Sequence, residues 1–204
     1  MVRDELQTIL DHSSGERELC AFLKKHPWVL LHSMTAIGDA SGLIAEFPLG
    51  NQFKVDFLIL APFSGSFELR LIEIEPPDAK IFNSDGTLAK RANKALEQVN
   101  SWQQHIKKNR ASFLRDLSRY ATSHDLVRER DSEPTCHVGW PLYHPQMALI
   151  INYDIIIGRR RDLNDRQIEL KAEFKENRGV QIATCDRLLR GAEEIDRRAR
   201  DFNT

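Results

Sequence analysis

The sequence predicts an α/β protein in which a mixed central sheet is flanked by helices. Three short runs rich in β-branched and aromatic residues lie between positions 44 and 75, separated by turn residues, as in an antiparallel meander. A pattern with helical periodicity follows over 87–109, and after residue 147 the chain alternates strand, helix, strand and helix. Because helices and strands alternate along the chain, we expect one sheet with helices packed against it.

Length and composition predict one globular domain over 1–204, with its core at about 16–195. The chain has 204 residues, 41% of them hydrophobic and 29% charged, which is ordinary for a soluble domain. The sequence has no apolar run of the roughly 18 residues that a membrane span needs, and acids near Met1 do not fit a signal peptide. Three widely spaced cysteines favour a reducing, cytoplasmic location. Because the net charge is only −1, DNA binding would require the basic residues to cluster on one surface.

The N-terminal part predicts a helix followed by the first strand. The helix spans Glu16–Lys25, with Ser13 or Ser14 as its cap, and His26-Pro27 ends it because the residue before proline avoids helical angles. We expect the segment 28–31 to pack inward. A strand is predicted near 44–47, followed by a Gly50-Asn51 turn.

Three acids interrupt the apolar strands of the predicted meander. Glu73 and Glu75 are two apart in one strand, so they share a face about 7 Å apart, and Asp56 can face them from the neighbouring strand. Crowded carboxylates repel one another, and a divalent metal with oxygen ligands is the simplest partner that offsets this repulsion. A sheet that merely carries acids at its strand ends would give the same pattern.

The segment 87–109 predicts the longest helix. Its apolar residues recur at helical spacing: Leu88, Ala92, Ala95, Leu96, Val99, Trp102 and Ile106. A second, polar stripe beside them contains Arg91, Lys94, Gln98 and His105, with Trp102 where the two stripes meet. Gln98 and Trp102 are four apart and therefore share one face of the helix. A helix edge half in solvent explains the same pair without any function.

The remaining segments predict a surface excursion and three further elements. Residues 118–146 are polar and proline-containing, which is typical of a surface segment. Cys136, His137 and His144 lie in it without the paired spacing of a zinc site. A strand at 147–157, a helix at 164–177 ending at Gly179, a short strand at 180–184 and an arginine-rich helix at 186–204 follow.

The predicted order of elements resembles the core of the PD-(D/E)XK nuclease fold, a restriction-endonuclease-like architecture. Asp56 resembles the motif Asp, Glu73-Ile74-Glu75 resembles the Glu-x-Lys element, and Gln98-x-x-x-Trp102 resembles a Gln-x-x-x-Tyr helix motif. More narrowly, the chain resembles the nuclease domain of Shedu anti-phage defence proteins. Four stretches carry this resemblance: 22–28, the Glu-Ile-x-x-Pro-x-x-Lys pattern at 73–80, Gly158-Arg159-Arg160 and 184–189.

The resemblance implies a metal-dependent endonuclease that hydrolyses DNA phosphodiester bonds. Asp56 and Glu73 would hold Mg²⁺ or Mn²⁺, which activates the attacking water. Glu75 would orient or deprotonate that water, and Gln98 would hydrogen-bond the site. The implied DNA-contacting residues are Lys80, Arg91, Lys94 and Trp102. The resemblance also implies a homo-oligomer.

One residue departs from the family pattern, which has Lys where this chain has Glu75. A Glu does not stabilise an oxyanion, but it can act as a base or an outer-sphere metal ligand, and some restriction endonucleases of the superfamily carry Glu there. Lys80, five residues further on, is a candidate to supply the positive charge that the missing lysine would provide. The alternatives are a catalytically degenerate module that binds nucleic acid, or an oligomerisation module whose long and arginine-rich helices pack against partner chains.

Overall fold

The computed structural model describes residues 1–12, 15–34, 41–128 and 131–201. The helices are α1 (Val2–Asp11), α2 (Glu16–Lys25), α3 (Pro27–Met34), α4 (Lys90–Lys108), α5 (Arg110–His124), α6 (Asp165–Arg178) and α7 (Arg187–Asp201). The strands are β1 (Gly42–Leu49), β2 (Phe53–Pro62), β3 (Ser66–Ile74), β4 (Ala148–Ile156) and β5 (Val180–Ala183). Within the described residues, no helix is both long and apolar enough to cross a membrane.

The five strands form a mixed sheet in the order β1-β2-β3-β4-β5, flanked by helices. β1 pairs antiparallel with β2, and β2 antiparallel with β3, which confirms the predicted meander. Backbone bonds join Gly65 to Ala148 and Glu75 to Ile156, so residue numbers rise together along β3 and β4, which are therefore parallel. The Ile157 N–H donates to the Ala183 carbonyl and the Cys185 N–H donates to the Gly158 carbonyl, so residue numbers also rise together where β4 and β5 end, and these strands are parallel.

The chain divides into two compact units. The first contains residues 1–36, 74–96 and 154–204, and the second contains residues 37–73 and 97–153. In the second unit the core includes Phe47, whose ring meets Phe113 and Tyr120 edge-on at centroid distances of 6.1 and 5.5 Å. These contacts pack α5 against β1, and such aromatic pairs contribute beyond their buried area.

In the first unit, helices α1, α2, α3 and α7 pack on one another. The closest approach is at Gly191 of α7, where an added Cβ would lie 2.1 Å from the Val29 carbonyl oxygen. Glycine therefore sets the distance between α3 and α7. α6 begins at a capping box formed by Asn164 and Gln167. It ends at the predicted C-cap, Gly179, with φ of 64°.

The structure differs from the sequence prediction at three places. Helix α1 was not predicted, although its apolar residues Leu6, Ile9 and Leu10 are buried. The segment 118–146 is only partly a surface excursion, because α5 continues to His124 and Leu142 is fully buried. Trp28 at the start of α3 stays 37% exposed while the next three residues are buried. Ser13 and Ser14 lie outside the described residues.

Candidate active site

Two of the three strand acids face each other in the second unit. Phe57 of β2 pairs with Ile72 of β3, and continuing this register by one residue places Asp56 opposite Glu73. Directly opposed residues of an antiparallel pair share a face, with Cβ atoms about 4.5–5.5 Å apart. Glu73 is 7% exposed and Asp56 is half-buried. This register puts Asp56 and Glu73 on one face of the sheet, and the close approach of their carboxylates stays a prediction.

Gln98 of α4 contacts one of these carboxylates. Its Nε2 donates to Glu73 Oε2 at 2.9 Å, and its side chain is half-buried. A hydrogen bond from a neutral amide to a buried carboxylate fixes the orientation of that carboxylate and satisfies part of its hydrogen-bonding capacity. Gln98 therefore has a specific partner on β3, and the alternative of a merely solvated helix edge does not describe it.

The strand on the other side of Asp56 carries a strained residue. Ala45 pairs with Phe57 and Phe47 pairs with Val55, so Glu46 is the residue opposite Asp56. Glu46 has φ of 53°, whereas the other residues with positive φ in the described part of the chain are glycines. A non-glycine residue in this region costs about 1–3 kcal/mol and is common at functional sites. No sequence signal predicts this strain.

Glu75 lies in the first unit, directly after the last residue of β3. It is 6% exposed, its N–H donates to the Ile156 carbonyl at 2.8 Å, and Arg91 Nη1 donates to its Oε2 at 3.0 Å. Burial raises the pKa of Glu75, and the hydrogen bond and charge of Arg91 oppose this rise only in part. Glu16, at the start of α2, raises the pKa of Glu75 further, whereas Lys94 lowers it.

The cation that contacts Glu75 is Arg91 rather than Lys80. Lys80 is exposed, and among the described residues its side chain has no hydrogen-bond or ion-pair partner. Arg91 lies in the first turn of α4 and also approaches Glu16, at 3.8 Å. The polar stripe of α4 was the available signal for this contact, because Arg91 and Gln98 both belong to it.

Trp102 does not contact solvent. Its side chain is 0% exposed, and its Nε1 is buried without a hydrogen-bond partner. A ring that is enclosed by its own chain offers no face on which a DNA base or sugar could pack. We therefore remove Trp102 from the candidate DNA-contacting residues and assign it to the core of the second unit, where the apolar stripe of α4 already predicted a buried residue.

The donor set fits a metal bound through two carboxylates. Mg²⁺ prefers oxygen ligands and usually keeps several waters, so Asp56 and Glu73 suffice as protein ligands. Among the described residues, no group of three or more histidine, cysteine or acidic side chains is arranged to hold a metal. Glu75, which is paired with Arg91, is therefore not counted as a third ligand.

Comparison with known proteins identifies one family. The family model described as Shedu protein SduA, C-terminal, matches residues 13–189, which is most of the chain. No curated protein matches the chain. The matched segment contains every candidate residue described above.

Proposed function

Because the chain belongs to the Shedu protein SduA C-terminal family, we propose that it is a metal-dependent endonuclease that hydrolyses DNA phosphodiester bonds in anti-phage defence. Membership of this family suggests the defence role. The chemistry is our inference from the site, and its substrate class comes from the resemblance to PD-(D/E)XK nucleases.

The observation that carries the proposal is the Asp56–Glu73 pair with its amide partner. Carboxylates placed opposite each other on β2 and β3 repel in the absence of a cation. Gln98 donates to Glu73 at 2.9 Å, which holds one carboxylate oxygen in a fixed direction. Glu46 on the neighbouring strand is strained, but its side chain is exposed and pairs with Lys54 at 2.7 Å. A divalent cation bound by Asp56 and Glu73 would offset the repulsion between these two carboxylates.

In the proposed reaction Asp56 and Glu73 hold Mg²⁺ or Mn²⁺. The metal supplies Lewis-acid activation of the attacking water and neutralises charge on the scissile phosphate. Gln98 keeps Glu73 oriented. Lys80 and Lys94 are exposed and can contact backbone phosphates, which position DNA without selecting sequence.

Glu75 takes the place of the family lysine in this proposal. Its raised pKa favours a carboxylate that accepts a proton more readily than an exposed Glu, as a general base requires. Arg91, at 3.0 Å, supplies the positive charge that the family pattern places on the lysine. In this proposal Glu75 orients or deprotonates the attacking water and Arg91 supplies positive charge. Elsewhere in the superfamily one lysine has both roles.

The same pair also favours the second candidate, a degenerate nuclease fold that binds nucleic acid without cutting it. An Arg–Glu pair can be a structural replacement for a lost catalytic lysine, since each charge satisfies the other. In that case Asp56 and Glu73 would bind no catalytic metal and DNA would be bound intact.

Cleavage assays with site variants distinguish the two candidates. Plasmid and linear DNA are incubated with the protein in Mg²⁺, in Mn²⁺ and in EDTA. We expect cleavage only with metal, and its loss in Asp56→Ala and in Glu73→Ala. Titration calorimetry with Mn²⁺ should show weaker binding to both variants. Their melting temperature in EDTA should not fall, because removing one of two facing carboxylates relieves repulsion.

Glu68→Gln is the matched control. Glu68 lies on β3 five residues from Glu73, so it points to the opposite face, where it bonds Arg70 and Asn152. This variant should cleave like the wild type. Cleavage that persists in EDTA, or equal loss of activity in Glu68→Gln, would contradict the proposed metal site.

A further inference from the structure

A basic groove lies in the first unit, between α6, β5 and the start of α7. Its volume is about 530 Å³. The cations that line it are Arg160, Lys171, Lys175 and Arg187. Only one carboxylate, Asp186, is among the lining residues. Besides α6 and β5, the lining includes Arg160 and residues of the segment 184–189, two stretches that the proposed catalytic site does not use.

Asp186 offsets these cations only in part, because both of its carboxylate oxygens already accept hydrogen bonds at the edge of the groove. Its Oδ1 accepts from Arg159 Nε at 3.0 Å, and its Oδ2 accepts from the Arg160 backbone N–H at 2.5 Å. Arg159 is 5% exposed and also donates to Asp11 Oδ1 at 3.0 Å. A buried arginine that is held by two acids is a rigid support. It fixes the Arg160 backbone at the edge of the groove.

Arg187 is also held in place by its own unit. Its Nε donates to the Ser33 carbonyl at 3.0 Å. With its amide oriented to satisfy both neighbours, Gln181 donates to Asp154 Oδ1 at 3.1 Å and accepts from Arg187 Nη1 at 2.6 Å. Asp154 is fully buried. A buried acid therefore orients Gln181, and Gln181 orients Arg187 at the groove.

The other three cations have no acidic partner. Within the described part of the chain, the side chains of Arg160, Lys171 and Lys175 form no ion pair. Burial lowers the pKa of Lys171, the charges of Arg160 and Arg187 lower it further, and the charge of Asp186 opposes them. Like charges held this close repel one another. With four lining cations and one carboxylate, the groove keeps a net positive charge.

We propose that this groove binds phosphate groups of a nucleic-acid backbone. Lys171 and Lys175 are one helical turn apart on α6, about 6 Å along its axis, which suits negative charges repeated along a chain. Duplex DNA carries one charge per roughly 1.7 Å of its axis. The inference rests on the proposed DNA substrate but not on cleavage, since it uses none of the candidate metal ligands.

The test compares two double variants of the same helix. Lys171→Gln/Lys175→Gln removes two charges from the groove. Arg166→Gln/Arg178→Gln removes two charges from α6 outside the groove, where Arg166 pairs with Glu169 and Glu173. Binding of a short DNA duplex is measured by fluorescence anisotropy in EDTA, over a range of salt concentrations, so that cleavage does not contribute.

We expect the groove variant to bind at least 10-fold more weakly than the wild type at low salt. Its slope of log affinity against log salt should be smaller by about 2, since each lost phosphate contact removes about 0.9. The control variant should change much less in both respects. Circular dichroism melting should show both variants folded, because Arg166, Lys175 and Arg178 are exposed and Lys171 is only half-buried.

The inference is overturned if the groove variant binds DNA like the wild type, if both double variants lose the same affinity, or if the wild type binds no DNA. The groove would instead bind a free nucleotide if ATP raises the melting temperature of the wild type but not of the groove variant, and both proteins bind duplex DNA equally well. Asp56→Ala separates this inference from the proposed activity, since it should lose cleavage and keep the salt slope of duplex binding.

Discussion

Glu75 is the residue on which the enzymatic proposal depends most. In the resemblance to PD-(D/E)XK nucleases it takes the position of the lysine. It is buried, and Arg91 donates to it at 3.0 Å. A glutamate at this position either accepts a proton during the reaction or is only one half of a structural ion pair. These roles differ in what a change of charge does to activity.

Substitution of Glu75 distinguishes the two roles. If Glu75 is the working base, Glu75→Gln keeps its shape but removes its basicity, and cleavage should fall by 10²-fold or more, the usual range for general bases. Glu75→Lys should also lose activity, because the new cation repels Arg91. The measurement is the initial rate of plasmid cleavage in Mg²⁺. Inert wild type with cleavage gained in Glu75→Lys would instead identify a degenerate site.

Lys171 makes a prediction about stability that is independent of any activity. Its pKa is lowered in the folded protein, so between the folded and the unfolded value the unfolded chain binds more protons. Stability therefore rises with pH across that window, and at neutral pH the charged Lys171 destabilises the fold.

Lys171→Gln should raise the free energy of unfolding in urea at pH 7. The gain should shrink as pH approaches 10.5, the ordinary pKa of lysine. Equal stability of variant and wild type at pH 7 would show that neither burial nor the neighbouring cations destabilise the charged Lys171.

At the scale of elements, helix α4 combines a buried apolar face with a polar face that contacts Glu73. Trp102 belongs to the apolar face and is fully buried, whereas Gln98 contacts Glu73. The four-residue spacing placed both on one side of the helix, but spacing alone does not tell how deep each side chain lies. The burial of Trp102 depends on how α4 packs in the second unit, which a local sequence pattern does not contain.

Alanine substitutions should separate these two faces. Gln98→Ala should depress cleavage with little change in melting temperature, because the lost bond only orients Glu73. Trp102→Ala should cost about 3–5 kcal/mol of stability, as for other core aromatics. Trp102→Phe should cost less, since it keeps a ring and removes the unpartnered Nε1–H. Urea unfolding and cleavage rates check all three. Small and equal effects of Gln98→Ala and Trp102→Ala on stability would contradict this division.

Elements with local signals were predictable, and those that depend on distant partners were not. The Gly50 turn and the Asn164–Gly179 boundaries of α6 follow from turn and cap chemistry. Helix α1 packs on α7, so the partner that stabilises α1 is more than 170 residues away in sequence. Contacts such as Arg91–Glu75 and the positive φ of Glu46 likewise arise only when strands and helices are assembled.

For the whole molecule, the net charge of −1 means that DNA binding depends on where the cations are unpaired. In the second half of the arginine-rich helix α7, arginines are paired with acids. Arg197 and Arg198 both donate to Glu194, at 2.7 and 2.8 Å, and together they lower the pKa of Glu194 to about 2. The number of arginines in α7 therefore overstates the positive charge that α7 can offer to DNA. The cations of the groove beside α6 are less neutralised.

The same helix bears on the predicted homo-oligomer. Of the apolar residues of α7, Leu188 and Ala192 are buried, whereas Leu189 and Ile195 are half-buried. Because α7 packs on α1 and α3 of its own chain, most of its apolar face is occupied, and we expect an oligomer to form through other surfaces. Light scattering after gel filtration should give a mass that is a multiple of 23.5 kDa and greater than one chain. Arg197→Gln/Arg198→Gln should leave that mass unchanged. A mass of one chain at every concentration would refute the homo-oligomer, and dissociation in the double variant would assign the interface to α7.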